Sequence, residues 1–153
     1  MPGLDDLYRE IILDHYRTPR NRGELAPPAV RAEGHNPLCG DEIQVYLSVV
    51  DDVVQDIKIM GSGCSISLSS ASMMSQAIKG KSLSDVRAIV SRFKGMMGLV
   101  EPDDDASGSV PEVKLGDLEA LAGVVKFPVR IKCATLAWST LLEAMAELSP
   151  PQG

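Results

Sequence analysis

Ile43-Gln44-Val45-Tyr46-Leu47-Ser48-Val49 alternates apolar and polar residues with a period of two, the pattern of a strand with one buried face. Val53 to Met60 alternates more loosely, through Val54, Ile57 and Ile59, and Asp51-Asp52 separates the two runs as a turn. Two such runs joined by two turn residues read as a β-hairpin. Upstream, Val30 to Asn36 is a candidate third strand. Downstream, Gly61-Ser62-Gly63 is expected to break the second arm of the hairpin.

Helical spacing flanks this region on both sides. Leu4, Leu7, Tyr8, Ile11, Ile12 and Tyr16 share one helical face, Pro19 stops the run, and Asn21 to Pro28 reads as loop. Ser65 to Ile78, rich in Ser, Ala, Met and Ile, reads as a helix ended by Gly80. Ser82 opens another through about Met97, with Asp85 at its third position as a capping box. Pro128 suits the first turn of a last helix to about Leu148, whose stripe is Val129, Cys133, Leu136, Ala137, Thr140, Leu141 and Ala144. The acidic stretch from Gly98 to Gly116 is expected to be a mobile loop within the domain, and Leu115 to Leu121 a short helix. No internal repeat is visible. A helix, then short strands, then helices means α+β: a small antiparallel three-stranded sheet packed against helices, with residues 1–153 as one domain.

Hydrophobic residues make up 44% of the 153, enough for a core, but aromatics are only 4%, so that core must be Leu, Ile, Val, Ala and Met. The net charge of −6 argues against nucleic acid as the main partner, because phosphate binding needs a basic face. No apolar run reaches the roughly 18 residues of a membrane span. Met1-Pro2-Gly3-Leu4-Asp5-Asp6 lacks the basic start and apolar stretch of a signal peptide, so a cytoplasmic location is expected. Thiols there stay reduced and more often serve metals or catalysis than crosslinks.

Three cysteines cannot pair off within one chain. They lie 25 positions (Cys39 to Cys64) and 69 positions (Cys64 to Cys133) apart, with no Cys-x-x-Cys, so any joint site must be assembled by the fold. Cys39 follows Asn36-Pro37-Leu38 and precedes Gly40 in a turn that exposes the thiol. Cys64 follows two glycines and precedes a helix, whose N-terminal N–H groups and dipole favour thiolate. Cys133 lies beside Arg130 and Lys132, whose charges do the same. Each could instead be a small buried apolar residue. Asp41 would complete four ligands for a closed tetrahedral site, or simply cap its own turn. Arg130 reads as a surface charge or a partner for Asp41. His35 is a conceivable ligand or a plain surface residue, and His15 a packed or capping residue near Pro19. Met73-Met74 and Met96-Met97 read as core or partner surface, and Asp103 to Asp105 as solvated.

Together these segments resemble the IscU/SufU-type proteins of iron–sulfur cluster assembly. The resemblance rests on Leu7-Tyr8 through Ile11-Ile12-Leu13-Asp14-His15-Tyr16, Pro19-Arg20-Asn21-Arg22-Gly23, and Asn36-Pro37-Leu38-Cys39-Gly40-Asp41. It continues through Gly61-Ser62-Gly63-Cys64-Ser65-Ile66-Ser67 and Arg130-Ile131-Lys132-Cys133-Ala134-Thr135-Leu136-Ala137-Trp138. Within the family the chain is similar to the SufU branch. Lys132 stands where the IscU branch has a histidine, Arg130 matches an arginine of the SufU branch, and residues 98–116 look like the SufU insertion.

The resemblance implies a SufE/IscU-like fold and a tight zinc site formed by Cys39, Asp41, Cys64 and Cys133. It implies a zinc-dependent sulfurtransferase that accepts persulfide sulfur on Cys39 from a SufS-type, pyridoxal-phosphate cysteine desulfurase. The sulfur would pass to a SufBCD-type cluster-building complex. Zinc would hold Cys39 as thiolate until a desulfurase histidine takes the metal, and Arg130 would assist as a catalytic residue by pairing with Asp41. The alternative is a scaffold that assembles a transient [2Fe–2S] or [4Fe–4S] cluster on the same cysteines. A third reading is a binding module whose zinc is purely structural.

Overall fold

A computed structural model of the chain describes residues 4–26, 29–37, 40–97 and 127–148, together with 118, 120, 121, 123 and 124. The elements in chain order are α1 (Leu4–Arg17), β1 (Val30–Asn36), β2 (Asp41–Val50), β3 (Val53–Ser62), α2 (Ser65–Ile78), α3 (Leu83–Met96) and α4 (Pro128–Ala146). The three strands form one antiparallel sheet in the order β1-β2-β3. The expected α+β class is borne out.

The β2–β3 hairpin closes between Val50 and Val53. Asp51 and Asp52 have φ of 55° and 64°. Positive φ at both central residues matches the twist of the flanking strands, and aspartate tolerates that region better than most side chains. A register shift pairs Ser48 with Asp56 but Val49 with Val54, leaving Gln55 as a bulge. The bulge explains the loose alternation of β3, for it lets Val54, Ile57 and Ile59 all face inward. β3 also runs on through Gly61-Ser62 instead of breaking there. Gly61 pairs with Ile43, and a Cβ at Gly61 would meet the Glu42 carbonyl. The glycine permits close strand approach and does not end the strand.

One face of the sheet buries Ile43, Val45, Leu47, Val54, Ile57 and Ile59 against α2 and α4, and α1 lies on α2. A Cβ at Gly34 in β1 would strike the Thr140 hydroxyl, so α4 rests directly on this strand. Trp138 of α4 stacks on Phe93 of α3, with ring centroids 4.3 Å apart.

Five serines of α2 are buried, and hydroxyls tie the helix to its neighbours. Ser69 donates to the Ile12 carbonyl at 2.7 Å, and Ser70 to the Ala134 carbonyl at 2.6 Å. Ser70 Oγ also accepts the Trp138 indole N–H at 3.0 Å. Ser72 meets His15 Nδ1 at 2.7 Å and accepts the Arg20 backbone N–H at 2.8 Å. Each satisfied bond of this kind contributes about 1 kcal/mol net, and small side chains let the helices approach closely. His15 is therefore the packed residue expected from its position.

The segment after α1 is more ordered than the expected loop. Ile59 donates to the Asn21 carbonyl at 2.8 Å and accepts from Gly23 at 3.1 Å, so Arg22 bridges to β3 and covers its edge. The Arg20 guanidinium, hydrogen-bonded to Asp14, holds that carboxyl below its ordinary range. The resulting stabilisation is present above the unfolded-state pKa and is lost as pH falls through the lowered value.

Ser82 caps α3 through the Asp85 backbone N–H at 3.1 Å, as expected. Pro128 occupies the first turn of α4. The expected stripe on α4 needs correction. Val129 is 56% exposed, and Pro128 and Arg130 beside it are exposed too, while Ala134 and Trp138 are buried. Leu118, Ala120 and Leu121 lie in 3₁₀ turns with buried side chains; the rest of the expected short helix, and the 98–116 stretch, fall outside the described residues. No helix among the described residues is long and apolar enough to cross a membrane.

Candidate metal centre

β1 and β2 end together at the pair Asn36 and Asp41, so a four-residue connection, Pro37-Leu38-Cys39-Gly40, closes the hairpin. Gly40 has φ of 71°, a left-handed conformation that suits glycine, immediately before Asp41. Leu38 and Cys39 lie outside the described residues.

Asp41 starts β2 with its side chain inward and only 1% exposed. Its Oδ1 accepts the backbone N–H of Cys64 at 2.9 Å, and its Oδ2 accepts Asn36 Nδ2 at 3.4 Å. The same Asn36 amide lies 3.7 Å from Cys133 Sγ. Cys64 is the N-cap of α2, and its sulfur accepts the Ser67 backbone N–H at 3.4 Å. Cys133 is fully buried on α4, with its thiol 3.8 Å from the Val129 carbonyl.

One strand and two helices thus deliver three donor side chains to one place. The ligand atoms of Asp41, Cys64 and Cys133 all lie within 4.8 Å of one another. Ligands on one tetrahedral zinc ion, at about 2.0–2.3 Å from it, stand about 3.5–3.8 Å apart. The three atoms need only a small contraction to share an ion. Two soft sulfurs and one hard oxygen are a donor set that zinc accepts. Gly63 shapes the cradle, for a Cβ there would run into the Asp41 carboxylate. Asp41, Cys64 and Cys133 were all legible in the sequence. Asn36 and Gly63 were not singled out as site residues, and the visible signal was only their place beside Asp41 and Cys64.

The remaining candidates lie elsewhere. His35 stands on the exposed face of β1, 3.5 Å from Glu33 and 3.9 Å from Glu42. Strand alternation turns it away from Asn36 and the cluster. Lys132 is exposed and lines an open groove of about 310 Å³ between β1 and α4. Arg130 is exposed in the first turn of α4, and among the described residues no ion pair joins it to Asp41. The Asp41 oxygens are instead taken by Cys64 and Asn36.

Fold and site together define a small α+β protein with a buried cluster of thiols and a carboxylate. The chain belongs to the NifU-like N terminal domain family, whose model matches residues 7–134. It is 48% identical over 144 residues to the zinc-dependent sulfurtransferase SufU of Bacillus subtilis, covering 94% of this chain and 92% of that protein. It is 39% identical over 143 residues to the iron–sulfur cluster assembly scaffold protein IscU of Streptococcus pyogenes, covering 93% and 84%. Among solved structures, the N-terminal part of a NifU-like protein from Brucella abortus superposes with a TM-score of 0.76 at 25% identity, covering 95% and 98%.

Proposed function

We propose that the chain is a zinc-dependent sulfurtransferase of iron–sulfur cluster assembly, with Cys39, Asp41, Cys64 and Cys133 as its zinc ligands. The observation that carries this reading is the convergence of Asp41, Cys64 and Cys133 within 4.8 Å, two residues along the chain from Cys39. Covalent geometry alone keeps the Cα atoms of Cys39 and Asp41 within about 7 Å. A fourth ligand is thus at hand. When bound, zinc keeps its cysteines deprotonated and leaves no open position for hydrolytic chemistry.

Cys39 is the sulfur acceptor. Its thiolate attacks the outer sulfur of a persulfide on a cysteine desulfurase of the SufS type. A new S–S bond forms on Cys39, the partner's S–S bond breaks, and the partner's cysteine leaves as thiolate. Cys133 is fully buried and Cys64 caps α2, so these two are committed to the frame. Phe127 and Val129 are 60% and 56% exposed at the start of α4, beside the exposed Arg130 and Lys132. They give the desulfurase an apolar and cationic surface next to the site. The sulfur then passes to a SufBCD-type assembly complex, and the acidic 98–116 stretch is an insertion within a single domain.

Incubation of the zinc-loaded protein with a cysteine desulfurase and cysteine tests this reading. Turnover of the desulfurase is expected to rise, with one extra sulfur recovered on the Cys39 peptide by mass spectrometry. No sulfur on the chain, together with a cluster built from iron and sulfide that passes intact to an apo-ferredoxin, would establish the scaffold reading instead.

A further inference from the structure

We propose that the Ser67 hydroxyl is a positioning donor for the Cys64 thiolate when that sulfur is coordinated. Ser67 is fully buried, and its Oγ has no hydrogen-bond partner among the described residues. The other buried serines of α2, Ser69, Ser70, Ser72 and Ser75, all use their hydroxyls. A buried hydroxyl left unpaired is rare, and an absent ion shell is one of its ordinary causes.

Its position in the helix explains why it is unpaired. Ser67 is the third residue of α2, the place from which a side chain can reach back to the N-cap backbone N–H. Here that N–H, on Cys64, is already taken by Asp41 Oδ1 at 2.9 Å. A residue of the metal cluster therefore closes that N–H to the Ser67 oxygen. The Cys64 sulfur, at the N-cap of the same turn, already receives the Ser67 backbone N–H at 3.4 Å. Ser70, one turn further on, faces Ala134 and Trp138. Ser67 therefore shares the side of α2 that is turned to α4, the helix that carries Cys133.

A neutral thiol attracts an O–H weakly, whereas a metal-bound thiolate is a charged acceptor. Rotation about the Cα–Cβ bond of Ser67 is enough to redirect its hydroxyl. Outer donors of this kind fix the ligand and commonly change metal affinity by about 10–100-fold. The inference rests on the zinc reading above.

Ser67→Ala and wild type, each prepared with and without zinc, separate the two. Zinc affinity is read by competition with a chromophoric chelator. Ligand-field and sulfur-to-metal charge-transfer bands are read in the cobalt-substituted proteins. Ser67→Ala is expected to bind zinc about tenfold more weakly and to shift the sulfur-to-cobalt band. Its metal-free unfolding midpoint is expected to stay unchanged or rise, because the substitution removes a hydroxyl that bonds nothing. Equal zinc affinity and identical cobalt spectra would overturn the inference and leave the zinc reading standing. A lowered metal-free midpoint with unchanged affinity would overturn it in favour of a packing role. A wild-type chain that takes up no zinc would overturn both.

Discussion

Cys39→Ala is expected to lower sulfur transfer from a cysteine desulfurase by roughly 10³-fold or more, the scale seen when a covalent nucleophile is removed. The fold is expected to survive. Cys39 lies in the four-residue connection between β1 and β2, and the strands on either side are held by their own ladder and core residues. Cys64→Ala and Cys133→Ala differ in kind. The first removes the sulfur that accepts the Ser67 N–H at the start of α2, and the second empties a fully buried position on α4. Both should lose stability as well as zinc. Rates of desulfurase turnover, measured beside urea unfolding of each variant, separate the acceptor from the two frame cysteines. Full stimulation by Cys39→Ala would remove the acceptor role from this residue.

Asp41→Ala is expected to have the second largest effect, and it acts through two routes. It takes away the hard oxygen of the donor set. Zinc should then be held more weakly by a factor above the roughly 10–100-fold that loss of an outer-shell partner causes. It also strips a buried acceptor from the Cys64 N–H and the Asn36 amide. An unsatisfied buried donor costs about 1–3 kcal/mol, so even the metal-free variant should unfold at lower urea. Sulfur transfer should fall with zinc affinity. Loss of stability and zinc with transfer intact would mean that the metal is structural and nothing more.

The fold could be read from the sequence because its signals were local. Strand β1 and helix α2 have the expected bounds, and the hairpin turn falls on Asp51-Asp52. What escaped depended on neighbours distant in sequence. The Gln55 bulge appeared only as a blurred alternation. Five of the six serines of α2 are buried although serine looks like a surface residue by hydropathy, and His15, Ala134 and Trp138 supply partners to two of them from other elements. Val129 fits the helical stripe but lies in an exposed first turn. Arg22 has no strand pattern of its own and is ordered by the edge of β3.

The site divides along the same line. Cysteine context and one aspartate suggested four ligands, and the fold brings the three described ones together. The supporting residues Asn36 and Gly63 act through groups that the tertiary structure places beside them. The pairing of Arg130 with Asp41, implied by resemblance, is absent among the described residues, where the carboxylate is buried and engaged by other donors.

The central claim is that three thiolates and one carboxylate close a single zinc site. X-ray absorption at the zinc edge, on protein with its metal content measured, tests it most directly. The account predicts one zinc per chain, three sulfurs at about 2.3 Å and one oxygen at about 2.0–2.2 Å. The chain's two histidines leave no room for nitrogen in that shell, since His15 is buried against Ser72 and His35 stands on the exposed face of β1. A histidine nitrogen bound to the metal, or a shell with fewer than three sulfurs, would contradict it.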